Sequence, residues 1–174
     1  MFDLSPVLDQ LSVPGNFDIA VPEYFNFGVD VIDARAADGD KTAYIWVDRS
    51  GSVVEHHSFS DLSQASTRFA NVLHQIGARK GDCAVVIMPR VPAWYEVVIG
   101  CIKAGVVAMP GTNLLTAKDI EYRINKSNAT VAVVSMEHVS KIETIKDHCP
   151  TLQHLILIGG EQDRWISYDK ACAE

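Results

Sequence analysis

Gly81-Asp82-Cys83-Ala84-Val85-Val86-Ile87-Met88 decides the fold. A glycine-aspartate turn is followed by a short apolar run, Cys83 to Met88, and the lack of polar alternation predicts a strand covered on both faces. Working outward, three further runs have the same texture: Val106 to Met109, Thr130 to Val134 and Leu155 to Ile158. Helical patterns stand between them, and strand-helix units of this length imply a parallel sheet with right-handed crossovers. The expected class is therefore α/β, a mostly parallel sheet with alternating helices, led in by an N-terminal helix, a β-hairpin and a further helix.

The intervening helices carry their own signals. The first follows Pro92, and its polar residues Glu96 and Lys103 fall on one stripe with Gly100 between them, so the rest of its surface must pack deeply. The second starts at Thr116, with Asp119 placed to return a capping bond and Leu115 placed to staple against Ile120. The third, from about Met136 to Asp147, turns Val139, Ile142 and Ile145 inward. Beyond the last run, Asp163 to Glu174 reads as the opening of another helix, a hint of truncation.

Upstream, Phe25, Val29, Ile32 and Ala36 recur at helical spacing, and Tyr24, Phe27 and Val31 make a second stripe. These predict a helix over Val21–Ala37 buried on two sides. Thr42 to Val47 and Val53 to Phe59, joined by Asp48-Arg49-Ser50-Gly51, predict the hairpin. Ser58 then caps a helix through Asp61, with Leu62, Ala65, Phe69, Leu73 and Ile76 on one face and Gly77 as a left-handed stop.

Composition narrows the function. With 174 residues, 48% hydrophobic and 21% charged, the chain has enough apolar material for a sizeable core, which excludes intrinsic disorder. A net charge of -7 lacks the basic footprint of a nucleic-acid binder. The uncharged stretch Ala104–Ala117 is broken by Pro110-Gly111 and is shorter than the roughly 20 residues of a membrane-spanning helix, so no membrane span is expected. Four cysteines without a CxxC pair and no secretory pattern in the first residues make the cytoplasm the expected compartment.

Motifs of chemistry are sparse. Neither G-x-G-x-x-G nor G-x-x-x-x-G-K-[ST] nor G-x-S-x-G occurs, and Gly159-Gly160 reads as a simple turn. His56 and His57 are strand neighbours pointing to opposite faces and cannot share one ion simply. His74, His138 and His148 read as solvated surface. Asp61 and Asp119 are helix caps, Asp40 and Asp48 turn residues. Trp94 and Tyr95 read as core, with a ligand pocket as the alternative. The most informative loop is Met109-Pro110-Gly111-Thr112-Asn113-Leu114-Leu115, which joins the carboxyl end of a parallel strand to a helix start, where open sheets bind ligands and helix dipoles favour anions.

A series of short motifs, taken together, resembles the adenylate-forming (AMP-binding) acyl-CoA synthetases, in the branch of medium-chain acyl-CoA synthetases and benzoate-CoA-type ligases. They are Tyr24-Phe25-Asn26-Phe27-Gly28-Val29-Asp30-Val31, Lys41-Thr42-Ala43 with Ser58-Phe59-Ser60-Asp61-Leu62, and Gly77-Ala78-Arg79-Lys80-Gly81-Asp82. Met88-Pro89-Arg90-Val91-Pro92-Ala93-Trp94 and Lys103-Ala104-Gly105 through Pro110-Gly111-Thr112 complete the series, which covers about Val21 to Gly160.

The resemblance implies a ligase that uses ATP and magnesium to turn a small carboxylic acid into an acyl-adenylate and then passes the acyl group to coenzyme A, in the setting of fatty acid metabolism. It implies that residues 1–20 are an extension and residues 21–174 a partial N-terminal domain, cut before the ATP phosphate loop and inactive alone. No catalytic and no metal-ligating residue carries over. Related acetyl-CoA synthetases bring the coenzyme A nucleotide to the matching loop and helix, which marks Thr112, Asn113 and Lys141 as cofactor-binding candidates. The diglycine of those relatives is absent here, and Lys141 is the nearest cation to the position of their arginine. The alternatives are a non-catalytic binding module that forms a homo-oligomer through an unpaired Leu155–Ile158 edge, or a fragment of a luciferase-like or peptide-synthetase enzyme.

Overall fold

The computed structural model describes residues 22–39 and 41–173. The proposed extension 1–20, the turn residue Asp40 and the first predicted helical residue, Val21, lie outside them. Five parallel strands form the main sheet, in the order β4-β3-β5-β6-β7: β3 (Cys83–Ile87), β4 (Val107–Gly111), β5 (Val131–Ser135), β6 (His154–Ile158) and β7 (Ile166–Ser167). A two-stranded antiparallel hairpin, β1 (Thr42–Val47) with β2 (Val54–Ser58), stands apart. Among the described residues no helix is long and apolar enough to cross a membrane.

Strand alternation sorts the core into two layers. Val85, Ile87, Ala132, Val134 and Leu157 face α4 (Ala117–Ser127) and α5 (Val139–Ile145), burying Ile120, Ile124, Ile142 and Ile145. Ala84, Val86, Val131, Val133 and Ile156 face α2 (Phe59–Gln75) and α3 (Pro92–Ala104), burying Phe69, Leu73, Val97 and Cys101. Both faces of β3 and β5 are thus covered, as their continuous apolar runs require. Burial in the second layer also pushes the Cys101 thiol up to about 12.

Local chemistry sets the helix ends. Ser58 and Asp61 form a reciprocal capping box on α2, and Thr116 and Asp119 do the same on α4. Gly77 at φ +84 and Gly105 at φ +70 take the left-handed turns that stop α2 and α3. Pro92 opens α3, where a missing N–H costs nothing.

Five expectations are corrected. The first helix begins at Phe27 as a π-helical turn, Phe27–Asp33, before α1 (Ala34–Ala37), because Asn26 caps it with its side chain. It is buried on one side only: Gly28 and Ile32 are buried, whereas Phe25, Phe27 and Val29 are exposed. β4 is an edge strand with Val107 half exposed, and an edge is where Pro110, lacking an N–H, is tolerated. β6 is not the edge: it pairs with β7 through Ile156↔Ile166 and Leu157↔Ser167, which removes the basis given for association through Leu155–Ile158. The stretch from Asp163 contributes that strand before its short helix, α6 (Tyr168–Ala171).

The N-terminal turn is bolted to α3 by a buried ion. Lys103 Nζ donates to Asp33 Oδ1 at 2.5 Å, to the Ser63 carbonyl at 3.0 Å and to Thr67 Oγ1 at 2.8 Å. Asn26 Nδ2 donates to the Ile102 carbonyl at 2.9 Å. The hydroxyl of Tyr168 donates to the Glu96 carboxylate, tying α6 across to α3, so the polar stripe of α3 is consumed by internal partners.

Close approach of α2 and α3 depends on Gly100, where a Cβ would stand 2.8 Å from the Ser66 carbonyl oxygen and 2.9 Å from Phe69 Cδ1. Gly100→Ala is expected to lower stability by about 1–3 kcal/mol through overpacking, read as a reduced urea midpoint. An unchanged midpoint would show that the helices can separate freely.

Candidate functional site

The strand order reverses beside β3. From β3 the chain passes through α3 on one face to β4 at the edge, then through α4 on the opposite face to β5 on the far side of β3. Such a reversal opens a crevice at the carboxyl ends of the strands. Met88, Pro89, Arg90 and Trp94 from the β3–α3 connection face Pro110, Gly111, Thr112 and Asn113 from the end of β4 across a cleft of about 380 Å³.

The hairpin frames this cleft from behind. Trp46 Nε1–H donates to the Arg90 carbonyl at 2.8 Å. Tyr44 stacks between His57 and Tyr95, each with ring centroids 4.6 Å away, and Tyr95 meets Trp94 edge-on at 5.2 Å. Burial, then the Glu96 charge, holds the Tyr44 phenol protonated well above its ordinary range. Trp94 therefore lines the cleft while Tyr95 packs inside, dividing the two roles weighed for the pair. The guanidinium of Arg90, on the exposed rim, makes no ion pair among the described residues.

The β4–α4 loop is held at both ends. At Gly111 a Cβ would fall 2.6 Å from Leu115 Cδ1, so the chain folds tightly back on itself there. Thr112 Oγ1 accepts from the Leu114 N–H at 3.3 Å and the Thr112 carbonyl from the Leu115 N–H at 3.2 Å. Beyond Leu115, Thr116 Oγ1–H donates to Asp119 Oδ2 at 2.7 Å, and this bond with the Thr116 N–H holds the Asp119 carboxyl below its ordinary range.

Lys141 reaches this loop from α5. Its Nζ donates to the Leu115 carbonyl at 2.7 Å and to that of Asn113 at 3.4 Å. Thr112, Asn113 and Lys141, marked from sequence, thus lie together at one end of the sheet. An ammonium has three donors, and two here are turned to backbone carbonyls among the described residues.

His138 was missed as a member of this group. Expected on the surface, it is 2% exposed, with Nε2 3.4 Å from Asn113 Oδ1. The available signal was its spacing: His138, Ile142 and Ile145 share the apolar stripe of one turn and helix. Among the described residues no group of three or more His, Cys, Asp or Glu side chains could hold a metal ion.

Residues 32–171 match the family described as AMP-binding enzyme. The chain belongs to the AMP-binding enzyme family. It is 35% identical to the mitochondrial acyl-coenzyme A synthetase ACSM1 of Mus musculus, across 96% of this chain and 31% of that protein. It is 36% identical to the mitochondrial acyl-coenzyme A synthetase ACSM2A of Homo sapiens, across 88% of this chain and 28% of that protein. This AMP-binding chain therefore spans about three tenths of the length of the curated relatives it matches. The fold is shared with the anthranilate CoA ligase AuaEII, solved with anthranoyl-AMP, at a TM-score of 0.77 and 24% identity over 88% of this chain and 29% of that one. It is shared too with the inhibitor-bound N-terminal domain of FACL13 from Mycobacterium tuberculosis, at 0.72 and 21% over 87% and 36%. The cytoplasmic expectation is overturned by the relatives, which are named as mitochondrial proteins; the features that prompted it, unpaired cysteines and no secretory pattern, do not separate the two compartments.

Because Thr116 anchors the loop to α4, Thr116→Ala is expected to lower stability by about 1 kcal/mol and to speed amide exchange at Leu114 and Leu115. Unchanged exchange at both amides would show that the capping box does not hold the loop.

Proposed function

We propose that this chain forms the N-terminal part of an ATP-dependent acid-CoA ligase, with residues 1–20 as an extension and 21–174 as part of the larger N-terminal domain. The observation that carries this reading is the family match over residues 32–171, supported by acyl-coenzyme A synthetases as relatives over most of the chain. In the proposed reaction a carboxylate oxygen attacks the α-phosphorus of ATP and pyrophosphate leaves. The thiol of coenzyme A then attacks the acyl carbon, the thiol proton passes to solvent or base, and AMP leaves. The substrate is a small carboxylic acid, and fatty acid metabolism is the proposed setting. Magnesium would be held elsewhere in the full-length protein.

The described residues bear on coenzyme A rather than on adenylation. Thr112, Asn113 and Lys141 are proposed to face its nucleotide end. The third Nζ–H of Lys141 and the amide Nδ2 of Asn113 are hydrogen-bond donors with an anion within their competence. The hydroxyl of Thr112 accepts from the Leu114 N–H and also carries one proton to donate. Three neutral or singly charged donors make a modest anion contact, so the main grip on coenzyme A is assigned to other segments of the full-length enzyme.

Acid-dependent exchange of pyrophosphate into ATP tests the assignment. The expected result is exchange by the product of a longer reading frame and none by these 174 residues alone. Exchange by the short chain would overturn the assignment of adenylation to other segments, and none by the longer product would overturn the ligase reading itself.

A further inference from the structure

His138 stands at the junction of three elements: it ends the tight turn Met136–His138 after β5, precedes α5, and points its Nε2 at the β4–α4 loop. Its ring is 2% exposed, and Nδ1 is buried with no hydrogen-bond partner. Nε2, by contrast, faces two oxygens, Asn113 Oδ1 and Glu137 Oε1, each at 3.4 Å.

Those surroundings select one form of the ring. A neutral imidazole carries a single N–H. On Nε2 that proton lies between two acceptors; on Nδ1 it would be a buried donor without an acceptor, and a bare Nε2 lone pair would oppose both oxygens. We propose that His138 is a positioning residue whose neutral Nε2–H clamps Asn113 Oδ1 and, beside Lys141, orders the loop Thr112–Leu115, so that the loop loosens when His138 is protonated. Protonation places a donor at Nδ1 where nothing accepts it, and the ring can satisfy that donor only by moving out of its pocket, away from Asn113.

The charged groups that act on His138 are Lys141 on α5 and Glu137 in its own turn; the loop presents the neutral Asn113. Burial, and then Lys141, hold the imidazole below the ordinary histidine range, with Glu137 opposing. A histidine with a depressed folded-state pKa is protonated first in the unfolded chain, so the folded state loses stability as pH falls through the ordinary value of about 6.5. The acid response is therefore assigned to His138. The inference rests on the proposed assignment of Thr112, Asn113 and Lys141 to coenzyme A for its functional meaning, and on geometry alone for the clamp.

The test is an NMR titration of the ¹⁵N-labelled chain from pH 8 to pH 5 without ligand. At pH 8 the imidazole nitrogen shifts are expected to report the Nε2–H form, and the Asn113 side-chain amide and the Leu114 and Leu115 backbone signals are expected to move in step with His138 as it protonates. His138→Gln keeps an N–H donor and is expected to leave the loop signals in place and flat with pH. Asn113→Ala removes the acceptor on the loop and is expected to uncouple the Leu114 and Leu115 signals from His138, while Glu137 keeps the ring in its Nε2–H form. An Nδ1–H ring at pH 8, loop signals that ignore His138, or loop signals that still follow His138 in Asn113→Ala would each overturn the clamp. Coenzyme A added afterwards at pH 8 tests the site assignment separately, since the ligand-free titration has by then decided the clamp.

Discussion

Everything at the candidate site depends on β3 and β5 lying side by side with both faces buried. Parallel strands cannot be joined by tight turns, so each must leave the sheet, pass through a helix and return. Because α3 returns to one side of β3 and α4 carries the chain across to the other, the connections diverge at the carboxyl ends and leave a cleft between them. The cleft follows from topology; the side chains at its rim only give it chemistry.

Those rim residues are held by elements remote in sequence. The hairpin reaches the β3–α3 loop through Trp46 and the aromatic series His57, Tyr44, Tyr95 and Trp94. α5 reaches the β4–α4 loop through Lys141 and His138. Two of the most buried polar groups, Lys103 and His138, thus serve opposite ends of the molecule: the first fixes the N-terminal turn to α3, the second faces the loop of the site.

Most of the architecture was legible in sequence because it rests on local chemistry. The capping boxes at Ser58 and Thr116, the glycine stops and the apolar runs of β3, β5 and β6 announce themselves within a few residues. What escaped rests on distant partners. The exposure of β4 depends on its place at the sheet edge, and the pairing of β6 depends on a two-residue strand too short to leave a pattern. The exposure of Phe27 and Val29 depends on how the first turn sits against α3, where a Cβ on Gly28 would lie 2.5 Å from Lys103 Cγ. At the site, the loop and Lys141 were recognised through resemblance to a family, whereas His138, whose meaning comes from a contact 25 residues away, was assigned to the surface.

The central claim is the proposal that the β4–α4 loop and α5, brought together at the reversal of strand order, face coenzyme A. Amide chemical-shift changes on adding coenzyme A to the full-length enzyme at neutral pH test it most directly. The account predicts that the changes concentrate at Thr112, Asn113, Leu114 and Lys141. Changes confined to the opposite end of the sheet, around Gly77–Asp82 and Gln153, or none at saturating ligand, would contradict it.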